Sequence, residues 1–243
     1  MNAALKFGLI GKDIAYSFSK KYFQDKFQRL MLHDHSYEIY DLKNIEKVLP
    51  ILQTPDLRGL NVTIPYKEAI IPYLDGLSSE AEKIGAVNTI VIKDGKKTGY
   101  NTDAPGFEKC FLKFRKQRHQ SALILGNGGA AKAVQYVFQQ SGIPYKTVYR
   151  KGEITFENLS PEDVSKHLVV IQCTPVGTFP GVTDCVPFPF EALTPEHLVI
   201  DLIYNPEETL FLKNARLKGA STYNGLKMLH EQAEASWRIW NNS

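Results

Sequence analysis

Gly126, Gly128 and Ala131 form a G-x-G-x-x-A turn between the apolar run Ala122 to Leu125 and a helical pattern of Ala130, Ala131, Val134, Val137 and Phe138. In that setting the first glycine permits a tight turn, the second lets backbone approach a pyrophosphate, and the small Ala131 lets the helix pack close to the sheet. The helix N-terminus then offers free N–H groups and a positive dipole end to the phosphates. A dinucleotide site reads the ribose about 20 residues further on, where a carboxylate selects NAD. Here the chain has Tyr149-Arg150-Lys151, and two cations attract a 2′-phosphate that a carboxylate repels. The spacing predicts NADP, with Glu153 acting against it. Glycine also serves any strand-to-helix turn, and arginine and lysine are mostly surface residues, so a plain loop stays open at this point.

A second set of polar residues follows apolar strands in the first half, where open α/β sheets bind ligands. Ser17 and Ser19 bring two hydroxyls able to meet a carboxylate or a polyol, and each also suits a helix N-cap. In Asn61-Val62-Thr63-Ile64-Pro65-Tyr66-Lys67, strand alternation puts Asn61 and Thr63 on one face, and Lys67 follows the turn. Asn88 and Asn101 flank a hairpin that turns at Asp94-Gly95, which brings them toward one end of the sheet. Asp103 fits the cap of the next helix. His33 and His35 have no further ligand nearby, and Cys110, Cys173 and Cys185 have neither zinc nor disulfide spacing, so no metal is expected.

The elements that must hold these residues alternate. Leu5 to Gly11, Tyr37 to Tyr40 and Gly59 to Ile64 read as strands. Tyr22, Phe23 and Phe27 after Ser19, and a short segment after Asn44, read as helices, which predicts an α/β fold with a parallel sheet. From Asn101 a new unit starts, with Phe107, Cys110, Phe111 and Phe114 on one helix face. Ala122 to Leu125, Thr147 to Tyr149, Leu168 to Gln172 and Leu198 to Leu202 read as buried parallel strands. Five prolines between Thr174 and Pro195 predict an irregular loop. After Gly225 the spacing of Leu226, Leu229, Ala233, Trp237 and Trp240 is helical. Natural cuts near Asn101 and Thr222 make the middle one unit and the two ends another.

With 243 residues, 43% hydrophobic and 23% charged, the chain is ordinary globular material, and disorder and fibre are excluded. A formal charge of +3 without strong clustering argues against a nucleic-acid partner. No run approaches the ~18 apolar residues of a membrane helix, and the start lacks a cleavable leader pattern, so a cytoplasmic location is expected.

The segments GLIGKDIAYSFSK, GLNVTIPYKE, IGAVNTI, GYNTDAPGF, ILGNGGAAKAV, CTPVG, VIDLIYNPEETLFL and YNGLKMLHEQA, in that order and spacing, resemble the shikimate dehydrogenase family almost end to end. The resemblance implies a substrate domain of residues 1–102 and 225–243, with an inserted Rossmann NADP-binding domain of residues 103–224 and a cleft at their junction. It implies reversible NADP-dependent reduction of 3-dehydroshikimate to shikimate, without metal, in aromatic amino-acid biosynthesis. The only partner it implies is the small-molecule substrate, with the chain a monomer or homodimer. Carried over by motif, Ser17, Ser19, Asn61, Thr63, Lys67, Asn88, Asp103 and Gln232 would contact substrate, with Lys67 and Asp103 as catalytic pair. Gly126, Asn127, Gly128, Gly129 and Ala130 would hold the pyrophosphate, and Arg150 and Lys151 the adenosine phosphate. Thr174, Leu202 and Gly225 would complete the cofactor site. A ketone accepting hydride develops negative charge on oxygen, which an ammonium or acid beside it stabilises. Which of Lys67 and Asp103 delivers the proton stays open, since a close pair titrates as a unit.

Several positions depart from the family pattern. Tyr16 and Lys20 stand where H-S-x-S-P has histidine and proline, Tyr149 and Lys151 flank the arginine of N-R-T, Asn127 replaces a small residue, and Leu202-Ile203 replace a methionine. Quinate or dual quinate/shikimate dehydrogenases share nearly all the site residues. A catalytically silent nucleotide-binding regulator would have no chemical need for both Lys67 and Asp103.

Overall fold

The computed structural model describes residues 4–15 and 17–242. The chain divides into two compact units, Met1–Thr102 with Ala233–Ser243, and Asp103–Gln232.

The first unit carries β1 (Lys6–Gly11), α1 (Ser19–Arg29), β2 (Ser36–Asp41), α2 (Val48–Leu52), β3 (Leu57–Val62), β4 (Gly76–Leu77), α3 (Ser79–Ile84), β5 (Thr89–Lys93) and β6 (Lys96–Tyr100). Its sheet has the order β2-β1-β3-β5-β6-β4. The helical crossovers make β2, β1 and β3 parallel, as the alternating pattern predicts. The sheet is nevertheless mixed, because β5 pairs antiparallel with β3 and β6. At the β5–β6 turn Asp94 and Gly95 take φ 51° and 76°, the double positive φ that a two-residue hairpin requires. Alternate strand residues face opposite sides, so Ile10, Leu60, Val62 and Ile90 enter one apolar cluster while Phe7, Leu9 and Val91 enter another.

That second cluster is closed by Trp240 of the last helix, which is 1% exposed and lies 4.8 Å from Phe7 and 5.2 Å from Phe23, ring centre to ring centre. Its Nε1 donates to the Ile90 carbonyl at 3.0 Å. The indole sits where Gly59 has no side chain, since a Cβ there would lie 2.2 Å from Nε1. Gly59→Ala is therefore expected to cost about 1–3 kcal/mol by forcing the indole aside. A lower urea midpoint at unchanged m-value would show it, and an unshifted midpoint would contradict this packing.

The second unit carries α4 (Asp103–Phe114), β7 (Ala122–Leu125), α5 (Gly129–Gln140), β8 (Tyr145–Val148), α6 (Pro161–Lys166), β9 (Val169–Gln172), β10 (Leu198–Asp201), α7 (Leu210–Leu217), β11 (Ser221–Tyr223) and the start of α8 (Leu226–Asn242). Its sheet, in the order β11-β10-β9-β7-β8, is parallel throughout. Ala122–Leu125 is fully buried, as expected of strands covered on both faces. The strand order reverses at β7, with β8 on one side and β9 on the other, and ligands of such sheets bind beyond the strand ends at that reversal. The chain returns to the first unit inside α8, between Gln232 and Ala233, and not ahead of Gly225. The first two turns of α8 pack on α4, where a Cβ on Gly106 would lie 3.1 Å from the Gln232 Cβ and from the Met228 carbonyl. Lys109 also pairs with Glu231 at 2.9 Å. Among the described residues no helix is long and apolar enough to cross a membrane.

Candidate functional site

The glycine turn lies at the strand-order reversal. Gly126 has φ +111°, a conformation that L side chains rarely adopt, and a Cβ there would meet the Thr174 methyl at 3.2 Å. Its N–H donates to the Val148 carbonyl at 2.8 Å, which ties the turn to β8. Gly128 caps α5 in extended conformation, no side chain caps the helix, and nothing lies within 4 Å of where a Cβ would stand. Asn127 and Gly128 are exposed, Gly129 and Ala130 half-buried. The Asn127 amide oxygen accepts from Gln135 at 3.3 Å, so this unusual residue is turned along the helix. A side-chain-free approach to an uncapped 12-residue helix fits a pyrophosphate. Arg150 and Lys151 follow β8 and are both exposed, as a phosphate reader must be.

Thr174 is fixed by buried Gln172, whose Oε1 accepts the Thr174 N–H at 2.7 Å. Leu202, half-buried, presses its carbonyl on Gly225, where a Cβ would stand 2.0 Å from that oxygen. The Gly225 N–H donates to the Ile203 carbonyl at 2.9 Å. Behind this loop is Asp201, a carboxyl that no motif of the sequence singles out. It is fully buried, accepts from the Ile203 N–H at 3.0 Å and from the Thr209 hydroxyl at 2.7 Å, and burial pushes it up to about 7. The Thr209 oxygen in turn caps α7 by accepting the Leu212 N–H.

In the first unit, backbone pairing brings Thr63, Lys67 and Asn88 together. The Thr63 N–H donates to Ile10 at the end of β1 at 2.8 Å, the Val62 N–H to Asn88 at 2.9 Å, and the Val87 N–H to Lys67 at 2.7 Å. Thr63 and Lys67 are half-buried, whereas Asn88 is 2% exposed. Asn61 points inward: it is 5% exposed and hydrogen-bonds Tyr37, Thr89 and Ser236. Strand alternation does not carry Thr63 to the same place, because β3 ends at Val62. Asn101 donates to the Ala86 carbonyl at 2.9 Å and so braces the segment before Asn88.

Ser19 opens α1 rather than capping it, and its N–H donates to the Ser17 hydroxyl at 3.3 Å. Lys20 pairs with Glu38 at 2.9 Å, which balances the charge this departure brings, while Tyr16 lies outside the described residues. In the second unit Asp103 is the first residue of α4, 4% exposed, at the helix end whose dipole favours a carboxylate. Gln232 packs over Gly106, one turn along α4 from Asp103, and its amide donates to the Leu229 carbonyl at 3.0 Å.

Comparison with known proteins gives this arrangement a lineage. Residues 9–90 match the family model described as the shikimate dehydrogenase substrate binding domain. A shikimate dehydrogenase (NADP(+)) of Desulforamulus reducens is 36% identical over 260 residues, spanning 96% of this chain and 88% of the relative. The structure of shikimate 5-dehydrogenase from Thermus thermophilus in complex with NADP(H) and shikimate matches with a TM-score of 0.87 at 31% identity, covering 98% of this chain and 94% of that one. Quinate dehydrogenase from Corynebacterium glutamicum in complex with NAD matches with a TM-score of 0.86 at 26% identity, covering 100% and 95%. With more than a third of its residues shared with a curated relative along nearly its whole length, the chain belongs to the shikimate dehydrogenase family.

Proposed function

We propose that the chain catalyses the reversible NADPH-dependent reduction of 3-dehydroshikimate to shikimate, a step of aromatic amino-acid biosynthesis. The observation that carries this reading is the set of backbone bonds joining Thr63, Lys67 and Asn88, in a chain that also holds an uncapped glycine turn followed by two cations. The first unit holds the substrate and the second the dinucleotide. Bound NADPH supplies the hydride. As the ketone oxygen gains negative charge, the Lys67 ammonium stabilises it and the proton is managed by Lys67 and Asp103. Ser17, Ser19, Thr63, Asn88 and Gln232 orient the carboxylate and hydroxyls of the substrate. Gly126 to Ala130 hold the pyrophosphate, Arg150 and Lys151 the 2′-phosphate, and Thr174, Leu202 and Gly225 the nicotinamide end.

Turnover of 3-dehydroshikimate with NADPH deuterated at the transferable position tests the reaction. Shikimate one mass unit heavier, labelled at the new carbinol carbon, is expected; unlabelled product would rule out direct hydride transfer. The cofactor assignment has its own test. Arg150→Ala combined with Lys151→Ala is expected to raise KM for NADP by about 10–100-fold, the loss of charged hydrogen bonds, and to leave NAD kinetics nearly unchanged. Equal KM values for NADP before and after would remove both residues from the site.

A further inference from the structure

Seven side chains of the first unit form one continuous hydrogen-bond chain. The Ser19 side chain bonds Tyr37, and the Tyr37 Oη lies 2.8 Å from Asn61 Oδ1. Asn61 Nδ2 lies 2.9 Å from Ser236 Oγ, and Ser236 Oγ lies 2.7 Å from Thr89 Oγ1. From Thr89 the chain passes to Thr102 at 3.1 Å and from Thr102 Oγ1 to Asn88 Oδ1 at 3.1 Å. Tyr37, Asn61, Asn88, Thr89, Thr102 and Ser236 are each at most 5% exposed. Buried hydroxyls and amides of this kind are costly unless satisfied, and a satisfied network fixes its members in place.

The ends set the direction. A backbone N–H only donates, and the Thr102 N–H lies 2.6 Å from the Asn88 side chain, so the atom it meets is the amide oxygen. Asn61 faces the Asn88 carbonyl at 3.3 Å, so that end of Asn61 is its NH2 group. Tyr37 must then donate to the Asn61 oxygen, and Ser19 must donate to Tyr37. Burial holds the Tyr37 hydroxyl well above its ordinary range, which keeps its proton available. From Asn61 the donation enters the hydroxyls of Ser236, Thr89 and Thr102, which lie within 3.1 Å of one another, and leaves from Thr89 and Thr102 to the Asn88 oxygen at 3.3 and 3.1 Å. That oxygen accepts from inside the unit, so any contact of the Asn88 side chain with a ligand through its NH2 group is a donation to an acceptor.

We propose that Tyr37, Asn61, Thr89, Thr102 and Ser236 are positioning residues that orient Asn88 and Ser19 toward substrate, with Asn61 acting through Asn88 instead of touching substrate itself. This rests on the function proposed above and deepens it, because the last helix supplies Ser236 at the middle of the chain. All its members are neutral, so its effect is the same across the neutral pH range.

The test is shikimate binding by calorimetry together with steady-state kinetics on the whole protein, for Thr89→Val, Ser236→Ala, Tyr37→Phe and the hydroxyl-retaining Thr89→Ser. The three hydroxyl deletions are expected to weaken shikimate binding and raise its KM by about 10-fold, the worth of one buried hydrogen bond, at nearly constant KM for NADP. Thr89→Ser is expected to stay close to the unaltered protein. Deletions that lower the melting temperature yet leave shikimate binding and KM unchanged would overturn the inference by reducing the chain to a structural one. If Thr89→Val does not fold, Ser236→Ala decides. An unaltered protein that neither binds nor turns over shikimate would overturn the functional reading itself, a result separable from failure of the variants alone.

Discussion

Lys67→Ala is expected to lower kcat for shikimate oxidation by about 10²–10⁴-fold, the usual contribution of a positioned acid–base group, while KM changes far less. The main chain at this position does not depend on the ammonium. The Tyr66 N–H donates to the Thr63 carbonyl at 2.9 Å, the Tyr66 hydroxyl donates to the Leu42 carbonyl at 2.6 Å, and the Lys67 carbonyl takes the Val87 N–H. None of these bonds involves the ammonium, so they are expected to survive the substitution. Lys67→Met, which keeps the aliphatic stem, is expected to be equally slow. Initial rates at saturating shikimate and NADP measure the effect, and a kcat within about twofold of the unaltered enzyme would exclude Lys67 from the proton chemistry.

Asp201 is expected to make the protein less stable as pH rises from about 4 to about 7. Its carboxyl titrates near 3.8 when unfolded and at about 7 when folded, because desolvation outweighs the bonds from Ile203 and Thr209. The folded state thus holds the proton over that window while the unfolded state has lost it. The stabilisation is complete below about pH 4 and gone above about 7, and a difference of that size between the two states corresponds to ~4 kcal/mol. The neighbouring thiols do not compete: burial pushes Cys185 up to about 11 and Cys173 well above its usual range, so both stay neutral here. Asp201→Asn keeps an acceptor for the Ile203 N–H and cannot ionise. Urea unfolding at several pH values across this window is expected to give a flatter profile for Asp201→Asn than for the unaltered protein. Parallel profiles would mean that Asp201 does not hold its proton.

Features set by neighbours along the chain are legible in the residues alone. The G-x-G-x-x-A turn, the Asp94-Gly95 hairpin and the proline-rich loop each depend on backbone conformations that particular residue types favour, and each lies where the pattern puts it. Features set by distant partners are not. Nothing near Lys20 announces that Glu38 pairs with it, and nothing near Ser236, one hydroxyl in an apolar helical stripe, announces Thr89 and Asn61. The strand pattern around Asn61 does not announce Tyr37, Thr89 and Ser236, which its side chain meets, because alternation fixes the face of a side chain but not what covers that face. Asp201 ends an apolar strand, and only tertiary packing reveals that its carboxyl is enclosed. Short elements such as α6, with its Ser160–Asp163 capping box, and the three-residue β11 carry too little periodicity to stand out.

Oxidation of shikimate with NADP is the activity proposed for this chain. It is tested most directly by measuring kcat/KM for shikimate and for quinate, each with NADP and with NAD, on one preparation of purified protein. Shikimate with NADP is expected to exceed every other combination. Faster turnover of quinate or with NAD, or no turnover in any of the four, would contradict it.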